Sequence, residues 1–379
     1  MPQASVNGAG WPIETLDEEA TAMTRNPYHS GPISDHFDGT RFFNPGQPRT
    51  DRRFKDLLKW QFSGERAKWP DHLPVEPATP AARVAGLRVT MVGHASVLIQ
   101  VAGLNVLTDP VWSDRVSPFS FAGPKRVAEP GVRFEDLPPI DLVLLSHNHY
   151  DHCDVATLER LHTEHRPKVI TALGNDTLLS RTIAGIDVVA GDWGDEIAFG
   201  EQPIGAMGRP DAAPVDASGG GAGDRASKAQ RAAIAIVPAH HWSRRGFSDT
   251  RMCLWCGFVL KAGGRTVYFA GDSGYGGGRI FRDIGERHGA PDLALIPIGA
   301  YAPRWFMEPQ HMNPEEAVKT FVDVQARQAV GIHWGTVQLT DEPVDEPANM
   351  LVRHLSDAGI RADRFRPLTP GESLDVGET

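Results

Sequence analysis

The sequence predicts an α/β chain in which two β-sheets pack face to face with helices outside them. Three observations carry that expectation. Short β-branched runs come in two batches, each with helical periodicity after it. Leu142–Leu145 and Leu293–Pro297 are apolar on both faces, as interior strands are. Glycines break the runs, at Gly93, Gly103 and Gly263-Gly264.

Taken in order, residues 1–80 are rich in Pro, Gly and polar side chains. They read as an N-terminal arm that holds the core by aromatics such as those in Asn26-Pro27-Tyr28-His29 and Phe42-Phe43-Asn44-Pro45. Its first part is expected to be disordered, with one short helix over Asp51–Trp60. Residues 81–379 are expected to form one catalytic domain. Strands are predicted at Leu87–Val92, Ser96–Val101 and Asn105–Leu107, and again at Leu142–Leu145. Asp154 reads as the N-cap of a helix to His162 with Val155, Leu158 and Leu161 on one stripe. Further strands follow at Lys168–Thr171 and Asp187–Ala190. Residues 203–229, dominated by Gly, Ala, Ser, Asp and Pro, read as a flexible insertion. The second batch comprises Ala233–Val237, Cys253–Leu260, Arg265–Ala270, Leu293–Pro297 and Ala329–Ile332, with a hairpin at Ala262-Gly263-Gly264. Asn313-Pro314-Glu315-Glu316 places Asn at N-cap, Pro at N1 and Glu at N3 of a helix with Ala317, Phe321 and Val324 inward. A helix over Glu346–Ala358 and a tail strand close the chain.

The net charge of −10 argues against a nucleic-acid partner, while leaving room for a local basic pocket that takes an anionic substrate. The three cysteines, Cys153, Cys253 and Cys256, are too few for a disulfide framework. On a strand, Cys253 and Cys256 would face opposite sides, so both read as core thiols rather than a metal pair. Met1–Ala22 lacks the basic start and apolar core of a signal peptide, and no run reaches the length of a membrane span. A cytoplasmic enzyme is expected, with peripheral membrane contact and homodimer formation left open.

The chemistry concentrates in Ser146-His147-Asn148-His149-Tyr150-Asp151-His152-Cys153-Asp154, directly after an apolar strand. Three histidines and an aspartate within six positions make a poor structural element and a good metal-binding one. Two metals need more donors than one motif supplies. His240 or His241, Asp272 and His333 each follow a later apolar strand, where ligands gather in open sheets. Neighbours on a strand face opposite ways, so only one of His240 and His241 is expected to point at a metal.

The nine-residue stretch resembles the His-x-His-x-Asp-His motif of the metallo-β-lactamase fold. Val92-Gly93-His94-Ala95-Ser96, Leu107-Thr108-Asp109-Pro110 and Gly123-Pro124-Lys125-Arg126 are similar to one branch of it. So are Phe269–Tyr275, Ile296–Met307 and Ile332-His333-Trp334-Gly335-Thr336. That branch is the N-acylphosphatidylethanolamine-hydrolysing phospholipases D, and the resemblance spans about residues 80–375. It implies an αββα four-layer sandwich and two zinc ions per chain. His147, His149 and His241 would hold one zinc; Asp151, His152 and His333 would hold the other, with Asp272 bridging. The implied reaction is hydrolysis of N-acylphosphatidylethanolamine to N-acylethanolamine and phosphatidic acid by a hydroxide shared between the ions. Asp151, Asp272 and His311 become the catalytic candidates, and His94 and Asp109 the orienters of ligands. Lys125, Arg126, Arg304, Arg244 and Arg245 become candidate phosphate contacts. Trp305, Phe306 and Met307 would shape an acyl pocket or belong to the core. Two competing readings are a hydrolase of another ester, such as a sugar-phosphate lactonase, and a non-catalytic metal-stabilised binding protein. The complete ligand set argues against the last.

Overall fold

The computed structural model describes residues 26–48, 54–62, 66–200 and 232–377. The insertion expected at 203–229 and the first part of the arm lie outside the described residues. Six strands open the first sheet: β1 (Leu87–Gly93), β2 (Ser96–Val101), β3 (Leu104–Thr108), β4 (Leu142–Leu145), β5 (Lys168–Ala172) and β6 (Val188–Gly191). Seven build the second: β7 (Glu196–Phe199), β8 (Ala232–Val237), β9 (Gly257–Ala262), β10 (Arg265–Phe269), β11 (Leu293–Pro297), β12 (Gln328–Ile332) and β13 (Phe365–Arg366). The last strand, β14 (Ser373–Val376), returns to the first sheet and pairs with β1. The helices are α1 (Phe54–Gln61), α2 (Val155–Glu164), α3 (Asn175–Thr182), α4 (Arg279–His288), α5 (Arg304–Met307), α6 (Pro314–Asp323) and α7 (Glu346–Asp357).

Both sheets are mixed, in the orders β14-β1-β2-β3-β4-β5-β6 and β13-β12-β11-β10-β9-β8-β7. The first is antiparallel up to β3 and parallel from β3 to β6. The second is antiparallel from β7 to β10 and parallel from β10 to β13. Val89, Ile99 and Leu144 of one sheet meet Ile234, Phe269 and Leu295 of the other in a single buried cluster. Behind the first sheet, Leu98 and Val143 pack with Leu158 and Leu161 of α2 and Leu178 of α3. Behind the second, Tyr268 and Ile296 pack with Phe281 of α4, Phe321 of α6 and Leu351 of α7. The four layers are therefore helix, sheet, sheet, helix, as the pattern of strands predicted. Among the described residues no helix is long and apolar enough to cross a membrane.

Phe37 and Phe42, with ring centroids 4.6 Å apart, join the inter-sheet cluster. Burial of side chains this size contributes roughly 1.5–3 kcal/mol each. Asn26 donates from Nδ2 to the carbonyls of Thr40 and Met252, each at 2.8 Å, which pins the start of the described chain to the core. Asn44 reaches further in: its Nδ2 donates to the carbonyl of His241 at 2.8 Å, and its Oδ1 accepts from Trp255 Nε1 at 3.0 Å.

The predicted strands match β1–β6 and most of the second batch to within a residue or two. One boundary moves. The strand read over Cys253–Leu260 begins only at Gly257, so Cys253 and Cys256 precede it and strand alternation does not separate them. They still occupy different clusters, Cys253 behind the first sheet and Cys256 between the sheets. All three cysteines are free and buried. Helices α3, α4 and α5 and strands β7 and β13 were not expected. Only Asn175, Leu178 and Leu179 of α3 are buried, too little apolar signal for periodicity, whereas Ile280, Phe281 and Ile284 of α4 do share one helical stripe, directly after the Gly276-Gly277-Gly278 run that reads as a loop. Asp154 stands at the N-cap of α2 without capping it. Its Oδ2 instead accepts from Thr157 Oγ1 at 2.6 Å and from the amides of Ser113 at 2.9 Å and Trp112 at 3.3 Å, tying the loop after β3 to the helix.

The start of α6 forms as read. Asn313 accepts from the Glu316 amide at 2.9 Å, and Glu316 accepts from the Asn313 amide at 3.0 Å. Asn313→Ala should lower stability by about 1 kcal/mol, seen as a shift in urea midpoint at unchanged slope.

Candidate metal centre

Strand direction decides where the polar side chains meet. β3 and β4 run parallel, as do β10, β11 and β12, and β8 shares the direction of β10 through two antiparallel steps. Asp109 follows β3, His147 follows β4, Asp272 follows β10 and His333 follows β12, while His241 stands four residues beyond β8. All of them gather outside the carboxyl ends of strands, at the seam between the sheets. His94 comes from the turn between β1 and β2. The backbone turns sharply there: His94, Asp109 and His333 all adopt positive φ, of 57°, 32° and 61°. Gly271 has φ +60°, and a Cβ on it would lie 2.8 Å from the Cys256 carbonyl oxygen and 2.9 Å from the Ser146 Cβ. No side chain fits, and that close approach brings Asp272 against the motif.

Two donor groups result. In the first, His149 Nδ1 lies 2.8 Å from His147 Nε2 and 3.1 Å from His241 Nε2. In the second, His333 Nε2 lies 3.1 Å from His152 Nε2 and 3.3 Å from Asp151 Oδ2, with His152 Nε2 3.4 Å from the same oxygen. Asp272 reaches both. Its Oδ2 is 3.1 Å from His152 Nε2, 3.2 Å from His333 Nε2 and 3.7 Å from His241 Nε2. His311 Nδ1 is 3.8 Å from the same oxygen. His240 points elsewhere, against Gly276, so His241 is the one that faces the group. Donors held by one tetrahedral ion at about 2.0–2.2 Å lie roughly 3.3–3.6 Å from one another, close to these separations. Asp272 Oδ1, His149 Nε2 and His311 Nδ1 are buried without a hydrogen-bond partner. A buried carboxylate oxygen with no donor fits a cation better than a structural role.

The electrostatics agree. Burial lowers His147 well below the usual imidazole range, His149 to about 3 and His241 to about 4, with neighbouring imidazoles adding to the effect, so their rings stay neutral donors. Burial opposes ionisation of Asp151 and Asp272, yet His152 and His333 override it and hold both carboxyls well below the ordinary range. Burial also opposes charge on His152 and His333. The facing carboxylates, Asp272 first, override that too and lift His333 to about 9 and His152 well above normal. Positive charge is thus stabilised where these four groups meet.

A further layer fixes the rings. His152 Nδ1 donates to Asp109 Oδ2 at 2.6 Å. Ser146 donates its amide to Asp109 Oδ1 at 2.7 Å and its hydroxyl to Oδ2 at 2.6 Å, while its oxygen accepts from His147 Nδ1 at 2.9 Å. One buried carboxylate therefore orients a ring in each group, directly in one case and through a serine in the other. His241 Nδ1 donates to the Gln310 carbonyl at 3.0 Å. His94 Nε2 sits 3.0 Å from Asp151 Oδ2, and its ring centroid is 4.0 Å from that of His333. The orienting roles of Ser146 and Gln310 were not expected from the sequence, although Ser146 stands directly beside the motif.

The basic candidates part company. Arg304 donates to the His311 carbonyl and to Glu316 Oε2, each at 2.8 Å, so it braces the His311 segment. Arg245 binds backbone carbonyls of the motif, and Arg244 donates to Gly246. Lys125 is exposed, with its backbone bridged to Arg115. Arg126 is 6% exposed, and its Nε has no partner. Phe306 and Met307 are buried, Phe306 against Trp60 of α1 with ring centroids 5.0 Å apart, while Trp305 is 43% exposed beneath Lys59.

A Beta-lactamase superfamily domain matches residues 104–334, the span that carries both donor groups and Asp272. The chain belongs to the β-lactamase superfamily. Within this superfamily it is 39% identical over 303 residues to N-acyl-phosphatidylethanolamine-hydrolyzing phospholipase D 1 of Caenorhabditis elegans, across 78% of this chain and 77% of that one. The mitochondrial enzyme of the same description from Saccharomyces cerevisiae is 33% identical over 69% of this chain and 50% of its own length. Among solved structures, an isothiocyanate hydrolase from Delia radicum gut bacteria aligns with a TM-score of 0.55 over 77% of this chain and 100% of that chain. Its 20% identity speaks to the fold alone. The chain is thus a hydrolase of the metallo-β-lactamase fold, a fold that implies divalent metal binding, and it carries His/Asp clusters suited to it.

Proposed function

We propose that the chain is a two-zinc phosphodiesterase of the phospholipase D type, splitting N-acylphosphatidylethanolamine into N-acylethanolamine and phosphatidic acid. In this reading His147, His149 and His241 hold one ion, and Asp151, His152 and His333 hold the other. The observation that carries it is Asp272 Oδ2, which lies 3.1–3.7 Å from donors of both groups, so that Asp272 would be the ligand common to both. The substrate class rests on the 39% identity to the C. elegans phospholipase.

Two zinc ions, when bound, lower the pKa of water towards about 7 and offset charge on phosphoryl oxygens in the transition state. Asp151 and Asp272 orient what enters between the groups; as ligands they are weak bases. His311, kept neutral by burial, presents Nδ1 to the same space and is placed to contact the substrate. Arg126 keeps a buried, unpaired Nε–H for a phosphate oxygen, whereas Arg304 serves by holding the His311 segment. Phe119 and Phe121, 54% and 80% exposed, and Phe247, 99% exposed, are in loops tied to Tyr150, which follows His149. They suit contact with a lipid surface.

Purified protein should carry about two zinc ions per chain. Mass spectrometry after incubation with N-acylphosphatidylethanolamine in detergent micelles should find N-acylethanolamine and phosphatidic acid in equal amounts. Free fatty acid without phosphatidic acid would replace this reading with a carboxylic-ester hydrolase.

A further inference from the structure

We infer that Arg245, 92 residues away in sequence from the Cys153 carbonyl that it grips, is the positioning residue of the His147–His152 turn. The turn belongs to no strand or helix. Its own backbone bonds are the amides of His152 and Cys153 donating to the His149 carbonyl at 3.1 and 2.8 Å. The carbonyls of Asn148 and Cys153, near its two ends, both accept from Arg245 Nη1, at 3.1 and 2.7 Å. The grip is returned from the middle. Tyr150 donates its hydroxyl to the Arg245 carbonyl at 3.0 Å, and the guanidinium carbon lies 4.1 Å from the Tyr150 ring centroid.

The division of labour along the turn is clear. His147, His149, Asp151 and His152 face the donor groups; Asn148, Tyr150 and Cys153 face Arg245. Arg245 therefore holds the reverse side of every donor the motif supplies. It is itself anchored. Asp249 Oδ1 accepts from the amides of Arg245 at 3.1 Å and Gly246 at 2.7 Å. The Arg251 amide donates to the Ser243 carbonyl at 2.7 Å and closes the loop. A planar guanidinium serves two carbonyls and a ring face together, which a lysine ammonium on a flexible stem does not. The two donor groups tolerate displacements of only a few tenths of an ångström, so releasing the turn should cost metal affinity before it costs the fold.

This inference rests on the metal reading above and not on the choice of substrate, and its test uses metal alone. Zinc affinity is measured by chelator competition on the full chain, and the visible spectrum of the cobalt-loaded protein reports coordination geometry. Arg245→Met should weaken zinc binding by about 10- to 100-fold. Arg245→Lys should fall between it and the wild type, and both should alter the cobalt spectrum while the metal-free far-UV circular dichroism stays that of the wild type. Wild-type affinity and spectrum in both variants overturn the positioning role and leave the metal centre standing. A wild-type chain that binds neither metal overturns both. If Arg245→Met fails to fold, Arg245→Lys decides: an unchanged spectrum rejects the inference.

Discussion

Replacing Asp272 with asparagine should abolish turnover and leave the fold in place. The side chain is nearly isosteric and is 3% exposed, so packing is preserved. What changes is charge at the one oxygen shared by both donor groups. The amide removes a full negative charge from between them and turns one of its two positions into an N–H donor facing imidazole nitrogens. A loss of about 4 kcal/mol of transition-state stabilisation, roughly a thousandfold in kcat, is the expected scale for disabling a metal-assisted step. Metal content should fall below two per chain. The metal-free protein should melt at a lower temperature, because Asp272 is the first partner of the buried His152 and His333 charges, while its far-UV circular dichroism should stay that of the wild type. An Asp272→Asn protein with full activity would mean that this carboxylate does not lie between two ions.

Asp109→Ala should damage stability and metal binding together. Asp109 is fully buried and accepts three hydrogen bonds, one from His152 and two from Ser146. Deleting it strands buried donors at about 1–3 kcal/mol each, so a loss of roughly 3–5 kcal/mol is expected. Urea unfolding in the presence of chelator reads that loss without any contribution from metal. Zinc affinity should fall by about 10- to 100-fold on top of it, since a ring in each donor group loses its support. Unchanged unfolding would reduce Asp109 to a bystander.

The donors were legible in the sequence because each has a local signal: an apolar strand, then a His or Asp at its end. Leu142–Leu145 before His147 and Ala329–Ile332 before His333 are of this kind. The capping box at Asn313 was legible for the same reason, since all its partners lie within three residues. What escaped depends on distance. Nothing near Arg245 in sequence says that its guanidinium ends on the Asn148 and Cys153 carbonyls, so it read as a free cation for phosphate. Gln310 contributes a carbonyl, which any residue type offers. The cysteine strand was misplaced because buried irregular chain is as apolar as buried strand; Met252–Cys256 is buried throughout without a ladder.

The split of donors between two sheets also sets an order of events during synthesis. His147–His152 leaves the ribosome about 180 residues before His333, a delay of roughly 10–40 s at ordinary elongation rates. Over that interval the nascent chain displays only part of the candidate site, whose remaining donors, His241, Asp272 and His333, wait on β8, β10 and β12. On the proposed metal assignment, the full donor set exists only once both sheets are docked, so capture of metal would follow folding rather than guide it.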